Sequence, residues 1–435
     1  MRSRKEIYLV LLLIVVCTAA FAEEVITLQE AKKIALEQSR LVQLAEDQYQ
    51  ANRARVQLNQ ARNEPQLGIS LRPSTTISGD KPLQAQIGLS FSQPLPGSFA
   101  LQTAKKTNEL DLKMAERGLA ESKRQLLLQV ETAYFNLLKA EQILFASKEG
   151  VKRAQAQVET AKIQEEAGTG TRLDVMRMQV SLSRSRQSQL EAENNVRKAN
   201  ATLANLLGLS PETVLKTSIP DLQVTIPPLE EALSLLERRK EVLDQKAAIK
   251  KAELALDEAL RNKEMNLSLF TSYSPNKSDL SVSVDRDKIS ANLTLSPLQD
   301  TRSSGWQIGA EARWDLADGG AKDAAVAEAQ AQLASQKKQL FNLMTELEQE
   351  IRNSYWDLEA ARVRLETAEA NLKTSQEAWN VAKLKYDYGS GSASELLDFE
   401  VALTEAETEW INANFDYLLK QRQLLYKLCL EEETA

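Results

Sequence analysis

The sequence predicts a mainly α-helical protein with a small β part, built as a tandem duplication of long coiled-coil helices and two β-hairpins. Gly and Pro are scarce, 15 and 11 in 435 residues, so the chain has few turns and long uninterrupted elements. Two stretches alternate apolar and polar residues, as strands with one apolar face do. The two halves of the chain also repeat each other, which makes the fold a duplicated one.

The composition excludes most catalytic chemistry. The chain has no His and only two Cys. A Ser/His/Asp or Cys/His nucleophile, a His general base and a His-ligated metal are therefore excluded, and two Cys cannot form a zinc thiolate cage. We expect no catalytic residue, no metal and no cofactor. The formal net charge of −7 argues against nucleic acid as a partner.

The first 22 residues are typical of an export signal. A basic start precedes an apolar run, and Ala20-Phe21-Ala22 is a small-x-small site, so we expect cleavage after Ala22. Cys17 raises the alternative of a lipoprotein signal, but the bulky residues at 14–16 disfavour lipidation. Beyond this segment no stretch approaches 18 consecutive apolar residues, so no transmembrane helix is expected.

An internal repeat defines the domain organisation. An offset of 221 residues aligns Tyr134-Phe135-Asn136-Leu137 with Tyr355-Trp356-Asp357-Leu358, and Gly168-x-Gly170 with Gly389-x-Gly391. The opening segments match at a shorter offset, so the second copy carries about twenty extra residues. The prediction is a signal peptide over 1–22, a first repeat over 23–209, a linker over 210–228, a second repeat over 229–430 and a tail over 431–435.

Each repeat begins with a helix followed by a hairpin. The Pro-free and Gly-free run from Thr27 to Arg62 favours a helix that Pro65 ends. Alternating residues then predict one hairpin over 66–95 and its counterpart over 265–316. Within the counterpart, the alternation from Leu280 to Leu295 indicates either an extended hairpin or a long loop with strand character.

Long helical hairpins are predicted over 99–208 and 321–429. Phe99–Glu166 and Ala321–Asp387 would each span about 100 Å, which is too long for one globular core. The returning helices carry heptads that indicate coiled-coil packing, such as Val175, Leu182, Gln189, Val196 and Leu203. A heptad pattern alone equally fits an ordinary coiled coil.

The predicted strands need partners outside their own chain. Four strands do not close a barrel and an isolated hairpin is marginal in water, so the strands pair with other chains or lie in a membrane. Trp306 and Trp314 are about 26 Å apart along one strand face, a spacing that suits aromatic anchors at the two interfaces of an outer-membrane band. The alternative is that both Trp pack against a soluble core.

This order of elements, occurring twice after a signal peptide, resembles the TolC-like outer-membrane efflux protein (outer membrane factor) family. The resemblance covers the whole mature chain. It is carried by the motif at 167–175, Ala-Gly-Thr-Gly-Thr-Arg-Leu-Asp-Val, and by its repeat at 386–398, each leading into a long helix. The Leu-x-Glu-Ala starts at Leu28 and Leu229 and the Asp318-Gly319-Gly320 turn are also similar to the family pattern.

The resemblance implies a homotrimer in the outer membrane. Three four-stranded sheets would join into a twelve-stranded β-barrel in outer-membrane lipid, continued through the periplasm by an α-helical barrel. The protein would be the passive exit duct of a tripartite efflux pump or type I secretion system for small molecules or polypeptides. Its partners would be a periplasmic adaptor (membrane fusion) protein and an inner-membrane transporter.

Two other classes of function also fit parts of the pattern. A soluble periplasmic coiled-coil scaffold without a pore would also use long heptad helices. An enzyme with the Gly-x-Gly turn as a phosphate cradle is disfavoured, because the turn follows a helix and lacks a Gly-Lys-Ser/Thr ending.

The family pattern also assigns candidate site residues. The resemblance places the two Gly-x-Gly turns at the periplasmic tip, where they would contact the adaptor; the alternative is that they only reverse the chain. Their residues are Gly168, Thr169, Gly170, Gly389, Ser390 and Gly391. Glu395 and Asp398 match carboxylates that line the tunnel constriction, where three copies would form cation-favouring rings. Alternatively, these acids stabilise the start of their helix.

The gate positions match the family only in part. Asp174 and Tyr386 stand where the resemblance places a closing pair. Gly391 and Leu173, however, occupy the positions of the family's gate Arg and its hydroxyl partner. We therefore expect closure to depend on the Tyr386–Asp174 pair alone, or on Arg172 as a substitute cation.

Overall fold

The chain is mainly helical with one small antiparallel sheet, as the sequence predicts. The structure is a computed structural model that describes residues 25–74, 84–220, 225–275, 277–296, 305–314 and 317–430. The expected signal peptide, its cleavage site at Ala22 and the tail over 431–435 lie outside these ranges. Two compact units are present: one holds residues up to 44, 122–235 and from 349 onward, and the other holds 45–121 and 236–348. Searched over the described ranges, none of the helices combines the length and apolar character needed to cross a membrane.

The first helix is interrupted, which corrects the single helix expected from Thr27 to Arg62. Helix α1 covers Leu28–Gln38 and α2 covers Arg40–Ala61. Between them Ser39 is buried and extended, with φ −65° and ψ 130°. Its hydroxyl accepts the N–H of Leu41 at 3.3 Å, so Ser39 satisfies one of the free amides at the start of α2.

The second repeat has the same interruption. After β4 (Lys216–Thr217) and the Pro-bearing linker, α5 covers Leu229–Ser234 and a 3₁₀ turn follows over Leu235–Arg238. Arg239 is then extended, with φ −63° and ψ 140°, before α6 begins at Lys240 and runs to Arg261. The break is therefore a property of the duplicated unit.

The long helices follow the predicted bounds closely. They are α3 (Phe99–Glu166), α4 (Arg172–Leu206), α7 (Ala321–Asp387) and α8 (Ala393–Lys427). Heptad positions of α4 and α8 are buried, as the pattern predicts: Val175, Met178, Ala192 and Leu203 on α4, and Leu396, Leu403 and Leu424 on α8.

Equivalent tyrosines on α3 and α7 form hydrogen bonds with the segment that precedes the first helix of each repeat. The Tyr134 hydroxyl donates to the carbonyl of Ile26 at 2.9 Å and accepts the Ser218 N–H at 2.9 Å. Ile26 belongs to β1 (Val25–Ile26), which pairs in parallel with β4. Tyr355 likewise donates to the carbonyl of Pro227 at 2.5 Å. The duplication thus extends to individual hydrogen bonds.

The sheet has six strands in the described residues, not the four expected. It comprises β2 (Gln66–Ser74), β3 (Gln84–Pro94), β5 (Asn266–Tyr273), β6 (Ser278–Val284), β7 (Lys288–Leu295) and β8 (Trp306–Arg313). Their order is β2-β3-β7-β6-β5-β8, and every pair is antiparallel. The stretch from Leu280 to Leu295 is therefore an extended hairpin. Its alternating residues pair with β3 on one side and with β5 on the other.

Candidate functional site

The first Gly-x-Gly turn reverses the chain between α3 and α4. Gly168 takes φ +73°, a conformation that L side chains resist. The N–H groups of Thr169 and Gly170 both donate to the carbonyl of Gln164 at 2.9 Å, which satisfies the end of α3. Thr171 and Asp174 then form a capping box, with the Thr171 hydroxyl donating to the carboxylate at 2.6 Å.

The second turn repeats this geometry between α7 and α8. Gly389 takes φ +72°, and the N–H groups of Ser390 and Gly391 donate to the carbonyl of Lys385 at 2.9 Å. Ser392 caps α8 by accepting the Glu395 N–H at 3.1 Å. The Glu395 carboxylate does not close a capping box here; it forms an ion pair with Lys385 at 3.5 Å.

The last glycine of each turn is required by close packing. A Cβ at Gly170 would lie 3.0 Å from the Gln164 Cβ, and a Cβ at Gly391 would lie 2.9 Å from the Lys385 Cβ. A side chain at either position would therefore force the end of the preceding helix to shift. All six predicted tip residues accordingly have a structural role, which is compatible with an additional role in binding.

The two turns meet within one unit. The Gln164 side-chain amide donates to the backbone carbonyl of Tyr386 at 3.1 Å. A hydrophobic cluster beneath the turns joins all four long helices; its buried members include Val158, Val175, Met178, Trp379, Tyr386 and Leu396. The structure thus brings the two sequence-distant motifs together as one tip.

The predicted gate pair is not a hydrogen bond in this structure. Tyr386 is 5% exposed, and its buried hydroxyl has no hydrogen-bond partner among the described residues. The Asp174 carboxylate instead caps its own helix through Thr171. Burial raises the pKa of Tyr386, and the negative charges of Asp174 and Asp387 raise it further. The two side chains are therefore coupled electrostatically but not bonded.

Arg172, the predicted substitute for the gate cation, pairs with a residue outside the predicted gate. Its side chain is largely exposed and forms an ion pair with Glu165, 3.5 Å away at the end of α3. Of the two predicted constriction carboxylates, Glu395 is half-buried beside Lys385 and Asp398 is exposed on α8. A single protomer therefore leaves the Asp398 carboxylate open to solvent.

An apolar groove beside the tip was not predicted from the sequence. It has a volume of about 550 Å³ and runs between α4 and α8. Leu173, Met176 and Val180 line it from α4 and Val401 from α8, each more than half exposed. These residues lie off the heptad seam, so a second apolar stripe on α4 is the signal that could have revealed the groove.

A buried charged cluster on α3 and α8 was also missed. Glu400 is 6% exposed; Arg153 lies 3.5 Å from it and 2.9 Å from Glu407. The Gln157 amide donates to Glu400, and the Arg153 guanidinium stacks over the Trp379 ring. Glu400 and Glu407 each lie four residues after a heptad leucine, Leu396 and Leu403, so the heptad pattern does not reveal the cluster.

The sheet has two chemically different faces. One face is apolar on all six strands; its members include Leu67, Ile69, Leu71, Leu89, Ala291, Leu293, Val282, Val284, Leu269 and Ile308, which the strand registers place side by side. The other face is rich in Ser, with Ser70, Ser90, Asn292, Ser283 and Gln307. Phe270 is an exception on this polar face. Leu67 and Ile69 are each 76% exposed and Ile308 is 81% exposed, so no described residue covers this face at its two edge strands.

The two predicted interface aromatics lie at this sheet. Trp306 opens β8 and stacks on Tyr273 with ring centroids 4.5 Å apart, and Trp314 directly follows the strand. Both are more than 60% exposed. Within the residues that the structure describes, neither Trp side chain is buried.

A family comparison decides the identity of this architecture. The family model described as outer membrane efflux protein matches residues 32–209 and 233–428. The chain belongs to the outer membrane efflux protein family. This confirms the resemblance drawn from the Gly-x-Gly motifs, and it locates the protein in the outer membrane, reaching into the periplasm. The matched segments correspond to the two repeats, and the family is one of efflux channels and not an enzyme class.

Individual members of the outer membrane efflux protein family are distantly similar. Protein CyaE of Bordetella pertussis is 25% identical over 416 residues, which are 92% of this chain and 81% of CyaE. Outer membrane protein TolC of Escherichia coli is 22% identical over 375 residues, 84% of this chain and 74% of TolC. The crystal structure of CusC superimposes with a TM-score of 0.76 at 19% identity, covering 92% of this chain and 91% of CusC. This last likeness concerns the fold alone.

Proposed function

We propose that this protein is the homotrimeric outer-membrane exit duct of a tripartite export system, and that it conducts its cargo passively. The observation that carries the proposal is the sheet with one uncovered apolar face and one polar face. A sheet of this kind is stable where lipid covers the apolar side and water fills the other. Membership of the efflux family supplies the class of function.

Exposed apolar side chains on the helices support the oligomer. Phe341 is 72% exposed and Trp356 is 66% exposed on α7. Trp and Phe side chains are strongly buried on average in folded proteins, and neighbouring copies in the proposed trimer would cover these two. A scaffold without a pore would account for these helices but not for the sheet.

The tip is proposed to contact the periplasmic adaptor, which couples the duct to an inner-membrane transporter. Its turns expose backbone at Gly168 and Gly389, where no side chain intervenes. A photo-crosslinking amino acid at Ser390 is expected to capture the adaptor in cells, whereas the same amino acid at the exposed Lys337 is not. Equal crosslinking at both positions, or none at Ser390, would contradict adaptor contact at the tip.

Planar-bilayer conductance of the purified protein, with oligomer mass measured on the same sample, tests the duct. A trimer with discrete cation-selective steps is expected. The double substitution Glu395→Gln plus Asp398→Asn should reduce cation selectivity, because it removes the proposed rings of charge. The matched control, Glu369→Gln plus Glu377→Gln on the exposed surface of α7, removes as many charges elsewhere.

Two outcomes of this experiment would count against the proposal. Equal selectivity in both double variants would show that Glu395 and Asp398 do not line the constriction. A protein that stays soluble without detergent and gives no conductance would support the periplasmic scaffold instead.

A further inference from the structure

We infer that the barrel of this protein has eighteen strands, because each chain contributes six strands through a third hairpin, β6–β7, built into the wall. This inference rests on the proposed homotrimer and concerns the surface by which one copy joins the next. The partner it specifies is a second copy of this chain, joined edge to edge through β2 and β8.

The third hairpin is an integral part of the sheet. β7 pairs with β3 over eight residues, from Ile87↔Leu295 to Pro94↔Lys288, and β6 pairs with β5 from Leu269↔Val284 to Tyr273↔Leu280. Both outer sides of the hairpin are therefore hydrogen bonded. A hairpin folded over the sheet as a plug or lid would leave β3 facing β5 directly.

The hairpin also carries the two-faced pattern of its neighbours. Leu280, Val282 and Val284 of β6 lie beside Leu293, Ala291 and Ile289 of β7 on the apolar face. Ser281 and Ser283 lie beside Asn292 and Ser290 on the polar face. A strand pair with one apolar and one polar side has the composition of a barrel wall between lipid and water.

The turn of the hairpin is anchored to the helical part of the same unit. Arg286 donates to the carbonyl of Arg261, the last residue of α6, at 3.3 Å, and it lies 3.2 Å from the Glu264 carboxylate. The carbonyl of Asp287 accepts the Leu95 N–H at 2.8 Å, which extends the pairing with β3. The turn is thereby fixed in line with the ends of β3 and β5.

The two edges of the sheet are complementary. In the described residues, β2 is hydrogen bonded only to β3, and β8 only to β5. An antiparallel sheet with an even number of strands has edges that run in opposite directions, so β8 of one copy can pair antiparallel with β2 of the next. Repetition closes a ring, which removes every free edge from the lipid.

Eighteen strands make a wider barrel than twelve. With strands about 4.8 Å apart and tilted about 40°, the backbone diameter rises from about 24 Å to about 36 Å. Barrels of sixteen to eighteen strands leave an aqueous channel in porins. The outer-membrane mouth would therefore admit bulky or polypeptide cargo without becoming the narrowest part of the path.

Cryo-electron microscopy of the full-length trimer in lipid nanodiscs tests the strand count. Eighteen strands with β8–β2 pairing between copies would support the inference. Twelve strands, with residues 278–295 outside the wall, would overturn it while leaving the exit duct intact. Failure to form a membrane trimer would overturn the proposed function itself, and the barrel with it.

A substitution pair tests the position of the hairpin without a structure. Val282→Arg places a charge on the apolar face of β6, and Ser283→Arg places the same charge on the adjacent polar position. A hairpin in the lipid-facing wall predicts about tenfold less trimer in the outer membrane for Val282→Arg and little change for Ser283→Arg. Equal levels for the two variants would overturn the inference.

Deletion of residues 277–296 provides the matched narrow barrel. It leaves β3 and β5 antiparallel to each other, so the remaining four strands per chain can close a twelve-stranded ring. Neutral polymers added from the outside should enter the wild-type mouth at a larger size than they enter the deletion variant. An identical size limit in two folded trimers would contradict the wider mouth.

Discussion

The two repeats share their backbone geometry but differ in how they use charged side chains. Both tip turns place a glycine at φ near +72° and close the helix end through the same pair of amide hydrogen bonds. In the first repeat Asp174 closes a capping box, whereas in the second Glu395 pairs with Lys385. The two copies therefore share the glycine and the amide hydrogen bonds of the turn, whereas the carboxylates that follow the turn have different partners.

The returning helices differ in the same way. α8 buries Glu400 beside Arg153 of α3, while the equivalent position on α4 is the exposed Gln179. The second repeat also contains the additional β6–β7 hairpin. The first repeat is thus the simpler unit, and the second carries the added polar network and the added strands.

The largest expected effect lies in the buried cluster of the second repeat. Glu400→Ala removes the carboxylate that Arg153 and Gln157 share and should lower the free energy of unfolding by about 3 kcal/mol, since buried charges lose their partner. Gln179→Ala at the equivalent position should change it by less than about 0.5 kcal/mol. Urea unfolding of the detergent-solubilised protein measures both, and equal losses would contradict the asymmetry.

The tyrosine anchors should show a smaller asymmetry. Tyr134→Phe leaves the Ile26 carbonyl and the Ser218 N–H without this partner in a fully buried site, so a loss of about 2 kcal/mol is expected. Tyr355→Phe removes one hydrogen bond at a half-buried site and should cost about 1 kcal/mol. The midpoint of thermal unfolding ranks the two variants, and the reverse order would refute the comparison.

The tip glycines should respond alike in the two repeats. Gly168→Ala and Gly389→Ala each force an L side chain to φ above +70°, at a cost of about 1 kcal/mol. Neither Cβ would meet another atom within 4 Å, so conformational strain is the whole effect. Unequal destabilisation in urea would mean that the two turns are not equivalent in the folded protein.

Tyr386→Phe should have the smallest effect on stability near neutral pH, because the buried hydroxyl it removes has no hydrogen-bond partner. At alkaline pH the variant should be the more stable protein. Burial raises the pKa of Tyr386 in the folded protein above the value of about 10 that tyrosine has in the unfolded chain. The contribution of the neutral phenol to the free energy of unfolding is therefore complete below about pH 10, and it is lost as the pH rises towards the folded pKa. The midpoint of alkaline unfolding, followed by fluorescence, should therefore lie at a higher pH in Tyr386→Phe than in the wild type. Tyr388→Phe, at an 84% exposed position, should not shift it.

The Tyr386→Phe variant also tests whether Tyr386 takes part in closing the channel. If Tyr386 and Asp174 hold the channel closed, single-channel conductance should rise in Tyr386→Phe, whereas Arg172→Ala should act only through its ion pair with Glu165. Unchanged conductance in both variants would exclude these residues from closure.

Much of the fold was predictable because it depends on local periodicity. Scarce Gly and Pro, heptads and the 221-residue offset were sufficient for the long helices, their turns and the duplication, and the alternation at 66–95 was sufficient for a hairpin. The break at Ser39 was not predictable in this way, because the run from Thr27 to Arg62 contains no residue that prohibits a helix. A buried serine in an extended conformation is decided by what packs around it.

The sequence alone determined the family, the long helices and the two Gly-x-Gly turns that join them, because turns and helices are specified by residues close together in the chain. Only the tertiary structure decided which strands are neighbours, whether Tyr386 bonds to Asp174, and where Glu400 is buried. Those outcomes depend on contacts between residues far apart in sequence, such as Ile87 with Leu295 and Arg153 with Glu400. The third hairpin shows the division most clearly. Alternation from Leu280 to Leu295 revealed strand character, but only hydrogen-bond partners on both sides placed it inside the sheet.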